Sequence, residues 1–168
     1  MAQEEIKTEG AIGPDGKRIE LPEKAKVLHK LIGEWKMTAV GHMGDQEMKA
    51  NGAWSVSATA GGFGTTGRQS MLDPEGNPEY LATDLWGYDP ASDEYHYFYV
   101  DNFAEAHDLS GSLVHPDKME LVYEGRQDGK KYVELAEVDF VNDNEIRVRS
   151  SGKVDDEFVW DFDATFAK

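Results

Sequence analysis

The feature that most constrains this sequence is a two-residue alternation of apolar and polar side chains, which continues from Gly33 to the C-terminus. Successive side chains of a β-strand point to opposite faces, so this alternation predicts strands with one buried face. The clearest example is the last segment, in which one face carries Phe158, Trp160, Phe162 and Phe166. The sequence therefore predicts a fold built almost entirely of strands.

Ten strands are predicted, and short segments rich in Gly, Pro, Asn and Asp separate most of them. They span residues 34–40, 47–60, 65–72, 80–88, 94–101, 107–114, 119–127, 131–141, 145–153 and 157–166. Connections this short favour antiparallel neighbours. A sheet of ten strands curls, and closure into a barrel removes its exposed edges. We therefore predict an all-β fold, a single up-and-down antiparallel β-barrel of about ten strands.

One short helix is expected before the barrel. Pro22 opens it, residues 23–32 form it, and Gly33 follows its end, which is the usual placing of these two residue types. Its apolar side chains are predicted to form one stripe that covers an end of the barrel above Trp35. The members of that stripe are Val27, Leu28, Leu31 and Ile32.

The chain divides into two parts in this interpretation. Residues 1–21 mix charged residues with Gly and Pro, which predicts a mobile N-terminal arm with a short strand at 17–21. Residues 22–168 form the barrel domain. Residues 1–9 carry acids and no apolar core, so no signal peptide is expected, and a cytoplasmic location is predicted.

The charge of the chain limits its partners. It has 33 Asp and Glu residues against 17 Lys and Arg residues, a net charge of −16. Such a charge repels the phosphates of nucleic acids and anionic lipid headgroups, so neither nucleic acid nor a membrane is expected as a partner. The absence of cysteine excludes disulfides, thiolate metal sites and cysteine nucleophiles. A monomer or a homodimer is expected.

Several short motifs resemble those of a known group of barrels. The segment Val27–Trp35 has the form of a short helix followed by Gly-x-Trp, and three further motifs follow in order: Gly61-Gly62-Phe63, Gly87-Tyr88-Asp89 and Tyr99-Val100-Asp101. From about residue 24 onward the chain resembles an uncharacterised bacterial family of calycin-like domains, related to lipocalins, fatty-acid-binding proteins and nitrobindins. The resemblance implies a calycin-like barrel whose helix and Trp35 close the floor.

The chain departs from nitrobindins in two respects. Gly33-Glu34-Trp35 is followed by Lys36-Met37-Thr38, without the further glycines of the nitrobindin pattern. The last strands also contain no histidine, where nitrobindins carry their haem ligand. Haem binding is therefore not expected, and no other cofactor is predicted.

The predicted interior is rich in apolar and aromatic side chains, which suits an uncharged or weakly acidic aromatic or lipid-like molecule. We predict that the ligand-binding walls are formed by Trp54, Val56, Arg68, Phe98, His107, Leu109, Leu121, Tyr123, Ile146, Val148 and Trp160. Arg68 is the one plausible inward cation in this set, which argues against a strongly anionic ligand. No His-x-His or His-Glu-x-x-His motif is present, so no metal site is predicted.

Three strands carry polar residues on both faces, so the alternation leaves their orientation open. Strand 65–72 presents either Thr65, Gly67 and Gln69 or Thr66, Arg68 and Ser70; strand 80–88 presents Thr83 or Asp84; strand 131–141 presents Glu134 or Glu137. A buried carboxyl group is driven towards its neutral form, which prepares it for proton transfer. The candidate catalytic residues are His107, Glu134 and Glu137.

Three hypotheses for function remain. The first is a carrier or sensor that binds a small hydrophobic or aromatic molecule inside the barrel. The second is a cofactor-free enzyme, a hydratase, isomerase, cyclase or lyase, that acts on a small hydrophobic substrate in the same cavity. The third is a structural or interaction domain with a filled core.

Overall fold

The computed structural model describes residues 6–73 and 75–168 of the chain. Within these residues a 3₁₀ helix at Glu23–Leu31 is followed by ten strands, with a short 3₁₀ turn, Ala60–Gly62, before the third. The strands are β1 Gly33–Met43, β2 Gln46–Thr59, β3 Gly64–Leu72, β4 Pro78–Asp89, β5 Glu94–Asp101, β6 Ala106–His115, β7 Lys118–Gln127, β8 Lys130–Asn142, β9 Glu145–Val154 and β10 Glu157–Ala167.

Each strand pairs antiparallel with the next in the chain, and β1 pairs with β10 to close the barrel. The closing ladder runs from the pair Lys36–Ala167 to the pair Met43–Trp160. This architecture confirms the predicted all-β, up-and-down antiparallel barrel. Consecutive strands pair because the connections between them are too short to let a strand reach any other partner first.

The helix covers one end of the barrel, which we call the closed end. Lys24 and Lys30 form ion pairs with Asp93 and Asp117, which lie in the β4–β5 and β6–β7 turns. The opposite end, where β1 meets β2, β5 meets β6, β7 meets β8 and β9 meets β10, is called the open end. The turn between β3 and β4 also lies there and includes residue 74, which is outside the described residues.

The predicted helix forms, but its type and its buried stripe differ from the prediction. Its buried side chains are Ala25, Leu28 and Leu31, spaced three residues apart. That spacing places side chains on one face of a 3₁₀ helix, whereas the predicted stripe assumed 3.6 residues per turn. No side chain caps its first turn, and the chain becomes extended at Ile32 to enter β1.

The described part of the N-terminal arm, residues 6–21, contains one isolated β-bridge, between Ile12 and Arg18. The strand expected at 17–21 is therefore replaced by a single bridged pair. The backbone N–H of Glu9 also donates to the carbonyl of Gly61 at a distance of 2.8 Å. Residues 1–5 lie outside the described residues.

Trp35 lies beneath the helix at the floor of the barrel. Its side chain is buried, and its indole Nε1 donates to the carbonyl of Leu31 at 2.7 Å. The ammonium group of Lys168 lies over its ring, 4.2 Å from the ring centre. The indole thus joins the helix, the start of β1 and the C-terminus.

Replacing Trp35 with alanine is expected to lower the free energy of unfolding by about 3–5 kcal/mol, because it leaves a cavity and unpairs the Leu31 carbonyl. Urea unfolding followed by circular dichroism measures this change. Phe158→Ala is the matched control. Because Phe158 is 64% exposed, its replacement should lower the free energy of unfolding much less. Equal losses in the two variants would contradict the assignment of Trp35 to the floor.

Candidate functional site

The interior becomes less tightly packed from the closed end to the open end. Along β10, Phe166 and Ala164 are buried near the closed end, whereas the inward Phe162 and Trp160 are only partly buried. Strand β2 shows the same trend, from the buried Trp54 to partly exposed residues nearer its beginning. Solvent-sized molecules therefore reach inward-facing side chains in the open half of the barrel.

A polar cluster lies in this open half. His107, near the start of β6, places its Nδ1 2.8 Å from Oε2 of Glu134 on β8. The hydroxyl of Tyr99 on β5 lies 3.0 Å from the same carboxylate oxygen and 3.0 Å from His107 Nδ1. We call these three residues the His107 cluster. It joins three strands through mutual hydrogen bonds.

Aromatic rings enclose the His107 cluster. The ring of Tyr123 stacks on the imidazole of His107, with ring centres 4.1 Å apart and planes inclined by 13°. Tyr132 lies next to both rings, with its ring centre 5.6 Å from that of His107 and 6.3 Å from that of Tyr123, and its hydroxyl accepts a hydrogen bond from the indole of Trp160. The cluster is therefore held in a defined orientation by packing as well as by hydrogen bonds.

A second buried acid, Asp84 on β4, occupies a different environment. Its two carboxylate oxygens accept hydrogen bonds from the indole nitrogens of Trp54 and Trp86, at 2.8 and 3.1 Å. Gly67 on the neighbouring strand is paired with Asp84, and a Cβ there would lie 2.6 Å from both carboxylate oxygens. Glycine at this position therefore leaves room for the carboxylate between the two indoles.

Burial raises the pKa of both acids. The pKa of Asp84 rises to about 6, because desolvation outweighs the hydrogen bonds from Trp54, Trp86 and Gly67. Desolvation also raises the pKa of Glu134 above its ordinary value, although His107 and Tyr99 oppose the change. Burial next to Glu134 raises the pKa of the Tyr99 hydroxyl, so this group stays protonated and serves as a donor.

The arrangement has a defined chemical capacity. In the His107 cluster a carboxylate orients an imidazole and also accepts a hydrogen bond from a tyrosine hydroxyl. Groups arranged in this way can accept or transfer protons. Aromatic faces beside it bind flat apolar groups by stacking. Among the described residues, the buried charged side chains are Asp84 and Glu134, both of them acids.

Most of the predicted wall residues face the interior. His107, Tyr123, Val148 and Trp160 lie inside and keep partial exposure. The others that point inward are fully packed in the core: Trp54, Val56, Leu109, Leu121 and Ile146. The structure thus divides the predicted wall into partly exposed residues and residues that are fully packed in the core.

Three predicted site residues face outward, and those predictions are wrong. Phe98 is 41% exposed, because its strand turns Tyr95, Tyr97 and Tyr99 inward instead. Arg68 is exposed on the outer face of β3, because Thr65 and Gly67 take the inward positions of that strand.

Glu137 lies on the outer face of β8, since the inward face of this strand carries Glu134. Its carboxylate forms ion pairs with Lys118 and Arg149. It therefore belongs to a network of surface charges on β7, β8 and β9, and it does not contact the His107 cluster.

The sequence does not assign two residues that organise the interior to the site. Tyr99 belongs to one of the family motifs, and its strand carries tyrosine at every second position, a pattern that indicates a polar aromatic face. For strand 80–88 the alternation allows either Asp84 or Thr83 to face inward. An acid with tryptophan two residues further along the same strand face is the signal that could have favoured Asp84, because indole N–H groups satisfy a buried carboxylate.

Two open grooves lie on the outer surface of the barrel rather than inside it. One, of about 370 Å³, is lined in part by Phe63, Leu85 and Phe98. The other, of about 430 Å³, is lined in part by Arg68, Leu81 and Val100. Phe98 and Arg68, predicted as cavity walls, thus line surface grooves.

Within residues 6–73 and 75–168, no three His, Asp or Glu side chains are grouped as a metal site would require. In the same part of the chain, no helix is long and apolar enough to cross a membrane.

The sequence matches a family described as "Protein of unknown function (DUF1579)" over residues 20–161. The chain belongs to the DUF1579 family. No curated protein matches it. The match covers nearly all of the barrel, from just before the helix into β10.

Two solved structures show how widely this barrel occurs. Rv2717c from M. tuberculosis superposes with a TM-score of 0.66 at 13% identity, covering 89% of this chain and 99% of that one. The S-type phycobiliprotein lyase CPES from Guillardia theta gives a TM-score of 0.57 at 10% identity, covering 85% of this chain and 90% of that one. At these identities the similarity shows a common fold.

Ionisation of Asp84 gives the protein a specific pH dependence. The pKa of this carboxyl is about 6 in the folded protein against an ordinary value of 3.8 for an exposed aspartate, so the folded state holds the proton more tightly than the unfolded chain. Stability from this group therefore falls as pH rises through the interval between these two pKa values, by about 3 kcal/mol in all and by about 2 kcal/mol between pH 4 and pH 6.

The test compares urea unfolding of the unmodified protein and Asp84→Asn from pH 4 to pH 7. The difference in unfolding free energy between them should shift by about 2.4 kcal/mol in favour of the variant from pH 4 to pH 7. Asp163→Asn, on the exposed face of β10, is the control and should show no such shift. A pH-independent difference for Asp84→Asn would refute the assignment.

Proposed function

We propose that this protein binds a small, uncharged aromatic or hydrophobic molecule in the open half of its barrel, as a carrier or sensor. The observation that carries the proposal is the His107 cluster, a polar group enclosed by aromatic rings and accessible from the open end. A polar group buried inside a barrel destabilises the fold unless it has a hydrogen-bond partner. A polar cluster beside partly exposed aromatic side chains is suited to recognising a ligand.

The side chains around the cluster support an aromatic ligand. Tyr123 and Trp160 are partly exposed in the open half, and each offers a ring face or edge for stacking. The closed half is filled by buried side chains such as Leu28, Leu109 and Met119. The ligand is therefore expected above these residues, towards the open end.

The charge of the interior supports an uncharged ligand. Its buried charged groups are acids, and the chain as a whole carries −16. An anion would be repelled both on approach and on entry. Arg68, the one inward cation that the sequence suggested, lies on the outer surface.

The comparisons support a calycin-like assignment of this barrel within its family. A phycobiliprotein lyase has a similar fold, and the helix with Gly33 and Trp35 is typical of calycin barrels, which hold ligands in their interiors. These similarities favour ligand binding inside the barrel over a purely structural domain.

The second candidate is a cofactor-free enzyme, a hydratase, isomerase, cyclase or lyase, acting in the same space. The observation that favours it is the 2.8 Å contact between His107 and Glu134, the geometry of an oriented general base. Native mass spectrometry of the protein purified from its source would identify a retained molecule. Incubation of that molecule with fresh protein then distinguishes binding from turnover.

Binding is tested with 1-methoxynaphthalene, a neutral aromatic probe, by equilibrium dialysis. We expect one molecule per chain and a roughly tenfold weaker affinity in Tyr123→Ala, since loss of a stacking face removes about 1.4 kcal/mol. The matched control is Phe98→Ala, which removes an aromatic ring from the outer groove and should leave the affinity unchanged.

The opposite pattern would refute the proposal. If Phe98→Ala weakened binding and Tyr123→Ala did not, the ligand would occupy the outer groove. If the probe did not bind at all, the filled-core hypothesis would be favoured.

A further inference from the structure

The His107 cluster leaves one imidazole nitrogen without a protein partner. Nδ1 contacts both Glu134 and Tyr99, whereas no side chain or backbone group of the described residues hydrogen-bonds to Nε2. The side chain of His107 is 14% exposed, twice the 7% of Glu134, so the ring reaches further towards solvent than the carboxylate. Nε2 is therefore the atom of the cluster available to a ligand.

The hydrogen bonds of the cluster assign the proton on this ring. Oε2 of Glu134 accepts from the Tyr99 hydroxyl, at 3.0 Å, and lies 2.8 Å from His107 Nδ1. When Glu134 is ionised, its carboxylate has only acceptor sites, so Nδ1 carries the proton that is donated to Glu134. An imidazole whose only proton is on Nδ1 presents the lone pair of Nε2 as an acceptor.

The direction of Nε2 is also fixed. Tyr123 stacks on one face of the imidazole with an angle of only 13° between planes, and Tyr99 meets the ring edge-on at 72°. A ring held by two hydrogen-bonded partners on Nδ1 and by these two aromatic contacts cannot turn freely. The acceptor is therefore preorganised, which favours binding because little orientation is lost on association.

We propose, on the basis of the binding function proposed above, that the ligand is an aromatic molecule of the phenol or pyrrole class, whose single O–H or N–H group donates a hydrogen bond to Nε2 of His107. Glu134 is a positioning residue in this proposal, because it holds the proton on Nδ1 and does not contact the ligand. The ligand ring lies in the open half, next to Tyr123 and Trp160.

The surrounding charges select this class over two others. A carboxylate or phenolate has no proton to give to Nε2 and would face the acid Glu134, which is 5% exposed as a residue. An aromatic hydrocarbon would stack equally well but would leave Nε2 without a partner once water is displaced. An unpaired polar atom in such a site lowers affinity, so a donor is preferred.

The experiment compares 1-naphthol with 1-methoxynaphthalene by equilibrium dialysis. The two probes share a ring system, and only 1-naphthol has an O–H donor. The protein should bind 1-naphthol about five- to tenfold more tightly, the effect of one hydrogen bond. In His107→Phe, which keeps an aromatic ring but no acceptor, the preference should fall to about onefold.

Glu134→Gln and Glu137→Gln form a matched pair on the inner and outer faces of β8. Glu134→Gln should reduce the preference for 1-naphthol, because an amide carbonyl orients the imidazole less strongly than a carboxylate. Glu137→Gln should keep it, since Glu137 lies among the surface ion pairs. Retention of the preference in His107→Phe would overturn the proposal.

A nitrogen-15 NMR measurement on the unmodified protein tests the assignment without any substitution. The chemical shifts should show a protonated Nδ1 and an unprotonated Nε2, and addition of 1-naphthol should shift the Nε2 signal. A protonated Nε2 in the neutral ring would overturn the proposal.

Failure of this proposal is distinguishable from failure of the binding function. Equal binding of the two probes, with weaker binding in Tyr123→Ala, would refute the donor requirement and leave the binding function standing. Absence of binding by both probes would refute both.

Discussion

The antiparallel pairing of β1 with β10 is the constraint on which the rest of the structure depends. It joins the first and last strands over most of their lengths and turns an open meander into a closed barrel. Closure leaves no free edge, so no strand can slip by one residue without turning its apolar side chains to solvent. Closure of the barrel therefore determines, for all ten strands together, which residues face the interior.

The two buried acids are satisfied in different ways, and the difference suggests different roles. Asp84 receives indole N–H groups on both oxygens, between tryptophans that are themselves buried. Glu134 is bonded to His107 and Tyr99 beside the open half. Asp84 therefore orders the core between its two tryptophans. Glu134 instead orients His107, whose Nε2 has no hydrogen-bond partner among the described residues.

The barrel itself does not define a function. The chain belongs to a family of unknown function, and the two solved structures compared above are only 13% and 10% identical to it in sequence. Identities this low show a common backbone fold, whereas function depends on the side chains that the fold carries. For this chain the argument therefore depends on the His107 cluster and the aromatic rings around it.

The sequence alone determined the number of strands, their antiparallel order and most of their bounds, because alternation and short turns are local signals. It also determined the helix at the barrel end and the burial of Trp35. It did not determine the 3₁₀ form of the helix, since the spacing of Ala25, Leu28 and Leu31 becomes meaningful only when they pack on the barrel.

Only the tertiary structure decided the faces of the ambiguous strands. In β5 both faces are apolar or aromatic, so alternation could not distinguish Phe98 from Tyr99. Pairing of Asp84 with Tyr99, and of Tyr99 with His107, placed the tyrosine inside. Glu134 and Glu137 likewise occupy opposite faces of one strand, and the register of β8 with β7 and β9 turned Glu134 inward. The physical reason is that a two-residue period defines two faces, whereas only closure of the barrel determines which of them is buried.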